Sequence, residues 1–136
     1  MLRIFPLLAV PVIVYALFAF PAGAEGMRQG LAMPAFAVPL ASGSPCVVTR
    51  GHLLTILSIV CLFFEVLKST RPSGAAMIDN ALAVGVFVVA LVLFLLVPGF
   101  GTTEFFLIVL MCVMVFMAGF VVMITTSRRT VDYMNN

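Results

Sequence analysis

The sequence predicts an all-α membrane protein, with four transmembrane helices packed as an antiparallel bundle in a single domain over residues 1–136. Three observations predict it. Hydrophobic residues make up 64% of the chain and charged residues 9%, whereas a water-soluble domain uses about 25% charged residues to cover its surface. The mean hydropathy is +1.30. Four apolar runs also approach the roughly 20 residues that cross a bilayer core as a helix.

Segment one covers residues 2–20, LRIFPLLAVPVIVYALFAF. Pro6 falls near its start, where a missing N–H matters little. Pro11 is expected to kink the helix. Ala22-Gly23-Ala24 after an apolar run also resembles a signal-peptide cleavage site, but the run is long for a signal core and favours a retained span.

An outer loop over residues 21–51 follows, rich in Gly, Pro, Ala and Ser. Pro34, Pro39 and Pro45 oppose a helix there. Two short apolar runs, 35–40 and 46–49, flank Ala41-Ser42-Gly43-Ser44-Pro45. That pattern predicts a short β-hairpin or an extended flap on the membrane surface.

Segment two covers residues 52–68, with Thr49 or Gly51 able to cap its start. Segment three covers residues 77–97, with Asp79 placed in its first turn, where a carboxylate complements the helix dipole. Pro98-Gly99-Phe100-Gly101 stops that helix in a tight turn. Thr102 or Thr103 can cap segment four, residues 102–126, with Glu104 in its first turn. The short links make segments three and four an antiparallel hairpin, and segments two and three neighbours.

Positive charge sets the expected orientation. Arg3, Lys68, Arg71, Arg128 and Arg129 fall on one side, and Arg28 and Arg50 on the other. Both termini are therefore expected in the cytoplasm and the long loop outside. No run of basic residues marks a nucleic-acid face.

Little chain remains outside the spans for a soluble catalytic domain, so the protein is not expected to be an enzyme. Cys46, Cys61 and Cys112 form no Cys-x-x-Cys pair. The single histidine, His52, could ligate a haem with a methionine as the second axial ligand, but it sits at the outer end of segment two, where an interfacial histidine is unremarkable. Met111, Met114, Met117 and Met123 suit helix packing better than copper(I), with no polar partner near them. No catalytic, cofactor or metal residue is expected.

The strongest polar feature is on segment two. Thr55, Ser58, Leu62, Glu65 and Ser69 share one stripe at helical spacing, which should turn away from lipid. An ionisable residue in an apolar span invites a coupling role. Yet Glu65 lies about one turn, roughly 4.5 Å, inside Lys68 and can pair with it at i,i+3. Ala81 and Gly85 form a small-xxx-small pattern in segment three, and Gly119 interrupts segment four. All three mark close helix contacts, within the chain or to a partner.

Phe63-Phe64-Glu65-Val66-Leu67-Lys68-Ser69-Thr70-Arg71 and Val97-Pro98-Gly99-Phe100-Gly101-Thr102 lie within residues 51–120. That stretch, about half the chain, resembles small four-helix inner-membrane proteins of proteobacteria whose function is not known. The resemblance implies a four-span fold and a bacterial inner membrane, and carries no activity. The expected partners are the lipid bilayer and other membrane protein subunits, with a homo-oligomer also open. The expected function is an accessory or structural subunit of a larger membrane complex. The alternative is a small homo-oligomeric transporter or channel using Glu65, although segment one lacks the deep acidic residue of four-span exporters.

Overall fold

A computed structural model describes residues 5–69 and 74–134, with the side chains of 69, 74–77, 123 and 126–134 outside that description. It contains helices α1 (Ala9–Ala32), α2 (Arg50–Ser69), α3 (Gly74–Leu96) and α4 (Thr103–Met134). Strands β1 (Pro34–Pro39) and β2 (Pro45–Thr49) lie between α1 and α2, and a 3-10 turn, Pro98–Phe100, joins α3 to α4. All four helices are long and apolar enough to cross a membrane, so the chain is a multi-pass membrane protein. Arg3 and Arg71, which contribute to the expected charge split, lie outside the described residues, as do the side chains of Ser69, Met123, Arg128 and Arg129.

α1 departs most from the sequence-based expectation of residues 2–20. Pro11 is the third residue of the helix. The first N–H groups of a helix have no intrahelical partner, so a proline there removes nothing. The helix therefore starts at Ala9, after a turn in which the Ala9 N–H bonds the Pro6 carbonyl at 3.0 Å, and Pro11 does not kink it. The break comes later. Pro21 lies inside α1, and Gly23 takes φ 66° and ψ −176°, a conformation open to glycine and costly for other residues. Beyond it the chain turns helical again to Ala32, across residues assigned by sequence to the outer loop.

Gly23→Ala is expected to cost about 1–3 kcal/mol. An added Cβ at Gly23 meets nothing within 4 Å, so the loss is one of backbone conformation alone. Gly30→Ala, at an equally open helical position, should instead gain about 0.5–1 kcal/mol. Reversible unfolding in mixed detergent micelles, followed by circular dichroism, measures both.

The two strands form the expected hairpin. Phe36 faces Val48, Ala37 faces Val47, and Val38 faces Cys46, with an irregularity between Pro34 and Phe36. Gly43, at φ 85°, closes the connection by donating its N–H to the Leu40 carbonyl at 3.0 Å. At the hairpin base the Arg50 N–H bonds the Met33 carbonyl at 3.0 Å. Thr49 caps α2. The His52 N–H donates to Thr49 Oγ1 at 3.3 Å, and the Thr49 N–H donates to His52 Nδ1 at 3.2 Å. His52 thus takes the reciprocal role usually held by Glu or Gln in a capping box.

α4 is the central helix and packs against both α2 and α3. Its buried stripe, Phe105, Ile108, Cys112 and Val115, meets Leu8, Val12, Tyr15 and Ala19 of the first segment and Ala83 and Ala90 of α3. α2 packs mainly on α1 and α4, and the expected α2–α3 neighbourhood comes down to the C-terminal end of α2 and the N-terminal part of α3. The helix of α4 also runs past residue 126. No Gly or Pro lies between Ser127 and Met134, so charge ends the span without ending the helix.

Candidate functional site

Three elements converge at the C-terminal end of α2. Glu65 is 2% exposed and lies on the stripe that turns Ser58 inward as well. Glu65 Oε1 pairs with Lys68 Nζ at 3.3 Å, the i,i+3 contact read from the sequence. Glu65 Oε2 accepts the Leu7 N–H, just before α1. Lys68 Nζ also reaches Asp79 Oδ1 at 2.7 Å and donates to the Phe5 carbonyl at 2.9 Å. Three oxygens therefore surround its ammonium. Asp79 Oδ1 accepts no directional hydrogen bond; its partner is the Lys68 charge.

This corrects the placement of Asp79. α3 begins at Gly74, so Asp79 lies beyond the first turn and serves as a buried ion-pair partner instead of a dipole complement. Lys68 joins α2, α3 and the start of the chain's first span. The other stripe residues bond locally. Thr55 Oγ1 donates to the Gly51 carbonyl at 3.1 Å, and Ser58 Oγ to the Leu54 carbonyl at 2.8 Å, the usual way for a hydroxyl to be satisfied in an apolar helix. Behind Glu65 lies a crevice lined by Leu8, Ala83, Val86, Cys112 and Val115, without room for a water molecule. Both carboxylate oxygens of Glu65 are engaged inside the chain. That geometry favours a lock over a relay.

A second polar knot ties α1 to the turn between α3 and α4. Tyr15 is fully buried. Its hydroxyl donates to the Gly99 carbonyl at 3.1 Å and lies 2.6 Å from Thr102 Oγ1. Thr102 caps α4 by accepting the Phe105 N–H at 3.3 Å. The Tyr15 ring packs on Phe100 and Phe105, with centroids 5.3 and 4.6 Å away. Sequence reasoning missed Tyr15. The available signal was a lone phenol in the middle of an apolar run, away from the interface where tyrosine usually sits.

The remaining candidates separate. Glu104 packs on Gly51, where an added Cβ would come within 2.7 Å of its carboxylate. Met111 is buried, while Met114 and Met117 face outward, so these methionines do not converge. Cys46 is exposed, Cys61 half-buried and Cys112 buried. Among the described residues no group of three His, Cys, Asp or Glu side chains is placed to hold a metal.

The small residues divide by role. Gly119 of α4 sits against Asn80 of α3, and a Cβ there would collide with the Asn80 amide. Ala81 and Gly85 face outward, and Gly85 has open space where a Cβ would project. Gly119→Leu is therefore expected to destabilise by about 1–3 kcal/mol through overpacking. Gly85→Leu should stay within about 0.5 kcal/mol, as an outward-facing change. Parallel unfolding curves of the two purified variants check the contrast.

No protein-family model matches this chain, and no curated protein or solved structure matches it to a significant degree.

Proposed function

We propose that the chain is a non-catalytic accessory subunit of a larger membrane protein assembly, in a bacterial inner membrane with both termini cytoplasmic. The hairpin carries this reading. A two-stranded hairpin is marginally stable in water by itself, and among the described residues this one packs on the helices mainly at its base, where β2 meets α2. No charged residue lies between Met33 and Thr49. Phe36 is 50% exposed, and Val38, Leu40 and Val47 are exposed beside it. Both of its faces are apolar and uncovered, the condition that marks a contact surface. Prolines at both ends of β1 and at the start of β2 blunt its edges, so the faces, not the edges, are offered to a partner.

Two further features support the reading. The buried polar side chains Tyr15, Ser58, Glu65 and Asp79 are bonded or paired within the chain. The outward small pair Ala81 and Gly85 allows close approach of a partner helix. The positive-charge split read from sequence supports the orientation.

Photo-crosslinking in native membranes tests the proposal. A photoreactive residue at Phe36 or Val47 should give one discrete protein adduct. The same residue at Leu96, outward on α3, should give mainly lipid adducts. Lipid adducts alone at Phe36 and Val47 would contradict the reading.

A further inference from the structure

α1 and α2 do not close against each other along their outer halves. A groove of about 520 Å³ separates them, within the range of small-ligand sites. Its walls are apolar: Val14, Phe18 and Leu31 of α1, and Leu53, Leu54 and Leu57 of α2. Ala22, Gly26 and Gly30 recur every four residues along its α1 side. Glycine inside a helix costs about 1 kcal/mol against alanine. Helix contact does not require Gly30, since a Cβ there would meet nothing within 4 Å. The missing side chain keeps the groove open.

The second observation is electrostatic. Arg50 lines the groove at the start of α2. A cation in the first turn of a helix opposes the helix dipole, so α2 itself gains nothing from it. Among the described residues no carboxylate pairs with the Arg50 side chain. An apolar groove ending in one uncompensated cation complements an amphiphile with an apolar chain and an anionic head. Arginine also pairs with a phosphate in bidentate fashion, and a helix N-terminus adds to that attraction.

We propose that this groove binds one acyl chain of an anionic phospholipid, with the lipid phosphate on the Arg50 guanidinium. The site is independent of the subunit reading, because it uses the groove wall and not the hairpin faces.

The chain contains no tryptophan, which makes the test direct. Phe18→Trp places a sole fluorophore on the groove wall, and Leu96→Trp places one on the outward face of α3. Each full-length variant is reconstituted in vesicles of phosphatidylcholine and phosphatidylglycerol, with bromine on the chains of one lipid or the other. At equal mole fractions, brominated phosphatidylglycerol should occupy the position beside the Phe18→Trp fluorophore about fivefold more than brominated phosphatidylcholine, the preference one arginine gives near a charged headgroup. Adding Arg50→Gln should abolish that preference. Adding Gly30→Leu should lower quenching by both lipids, with unchanged circular dichroism. In the Leu96→Trp variant the two lipids should quench equally.

Equal quenching of the Phe18→Trp variant by both lipids would overturn the proposal. So would the same preference in the Leu96→Trp variant, or a preference that survives Gly30→Leu. Displacement by free stearate at the same concentration as phosphatidylglycerol would overturn the phospholipid assignment. Energy transfer showing a second copy of the chain in the groove would do so as well.

Discussion

Lys68→Met is expected to destabilise the bundle by about 3–5 kcal/mol, the cost of breaking a buried ion pair by removing one partner. Methionine keeps the length and apolar stem of lysine, so the change isolates the charge. It leaves Glu65 at the end of α2 and Asp79 near the start of α3 with no cation between them, although Lys68 had paired with both. The Phe5 carbonyl loses its donor at the same time. Neutralising the carboxylates should reverse much of this. Lys68→Met combined with Glu65→Gln and Asp79→Asn is expected to be more stable than Lys68→Met alone, because an uncompensated buried charge costs more than a neutral amide. The amide introduced by Glu65→Gln would still offer an oxygen to the Leu7 N–H. Unfolding midpoints of the single and triple variants in mixed micelles measure the difference. Equal stability of Lys68→Met and the parent protein would remove the triad as a lock.

Tyr15→Ala is expected to cost about 3–5 kcal/mol, the range for deleting a large buried aromatic ring. The ring packs on both Phe100 and Phe105, beside the contact of Phe20 with Phe100 at the same turn. Tyr15→Phe separates the ring from the hydroxyl. It keeps the packing and leaves the Gly99 carbonyl without its donor, for a loss of about 1–3 kcal/mol. Thr102 still caps α4 in that variant. Helix content should therefore remain while the unfolding midpoint falls. A midpoint for Tyr15→Phe as low as that for Tyr15→Ala would mean that the hydroxyl alone carries the contact.

The apolar spans were legible in the sequence because a bilayer demands about 20 residues of one character, and no other part of this chain supplies them. The hairpin was legible because Pro34, Pro39 and Pro45 deny a helix to an otherwise helix-permissive stretch. The pairing of Glu65 with Lys68 was legible because three residues of helix bring them together. What was hidden depends on distance along the chain. Asp79 joins Lys68 across a link, Leu7 joins Glu65 across 58 positions, and Tyr15 joins Gly99 across 84. No local pattern encodes those contacts. The start of α1 was hidden for a different reason. Pro11 has opposite meanings in the first turn and in the interior of a helix, and only the packing of Leu8 and Val12 decides between them.

The apolar hairpin, whose faces are exposed, carries the subunit proposal. The most direct test is the size of the protein extracted from its native membrane in mild detergent. Migration within a discrete larger complex, with a constant ratio to a co-purifying membrane protein, is the predicted result. Migration only as a free 14.6 kDa chain in its detergent micelle would contradict it.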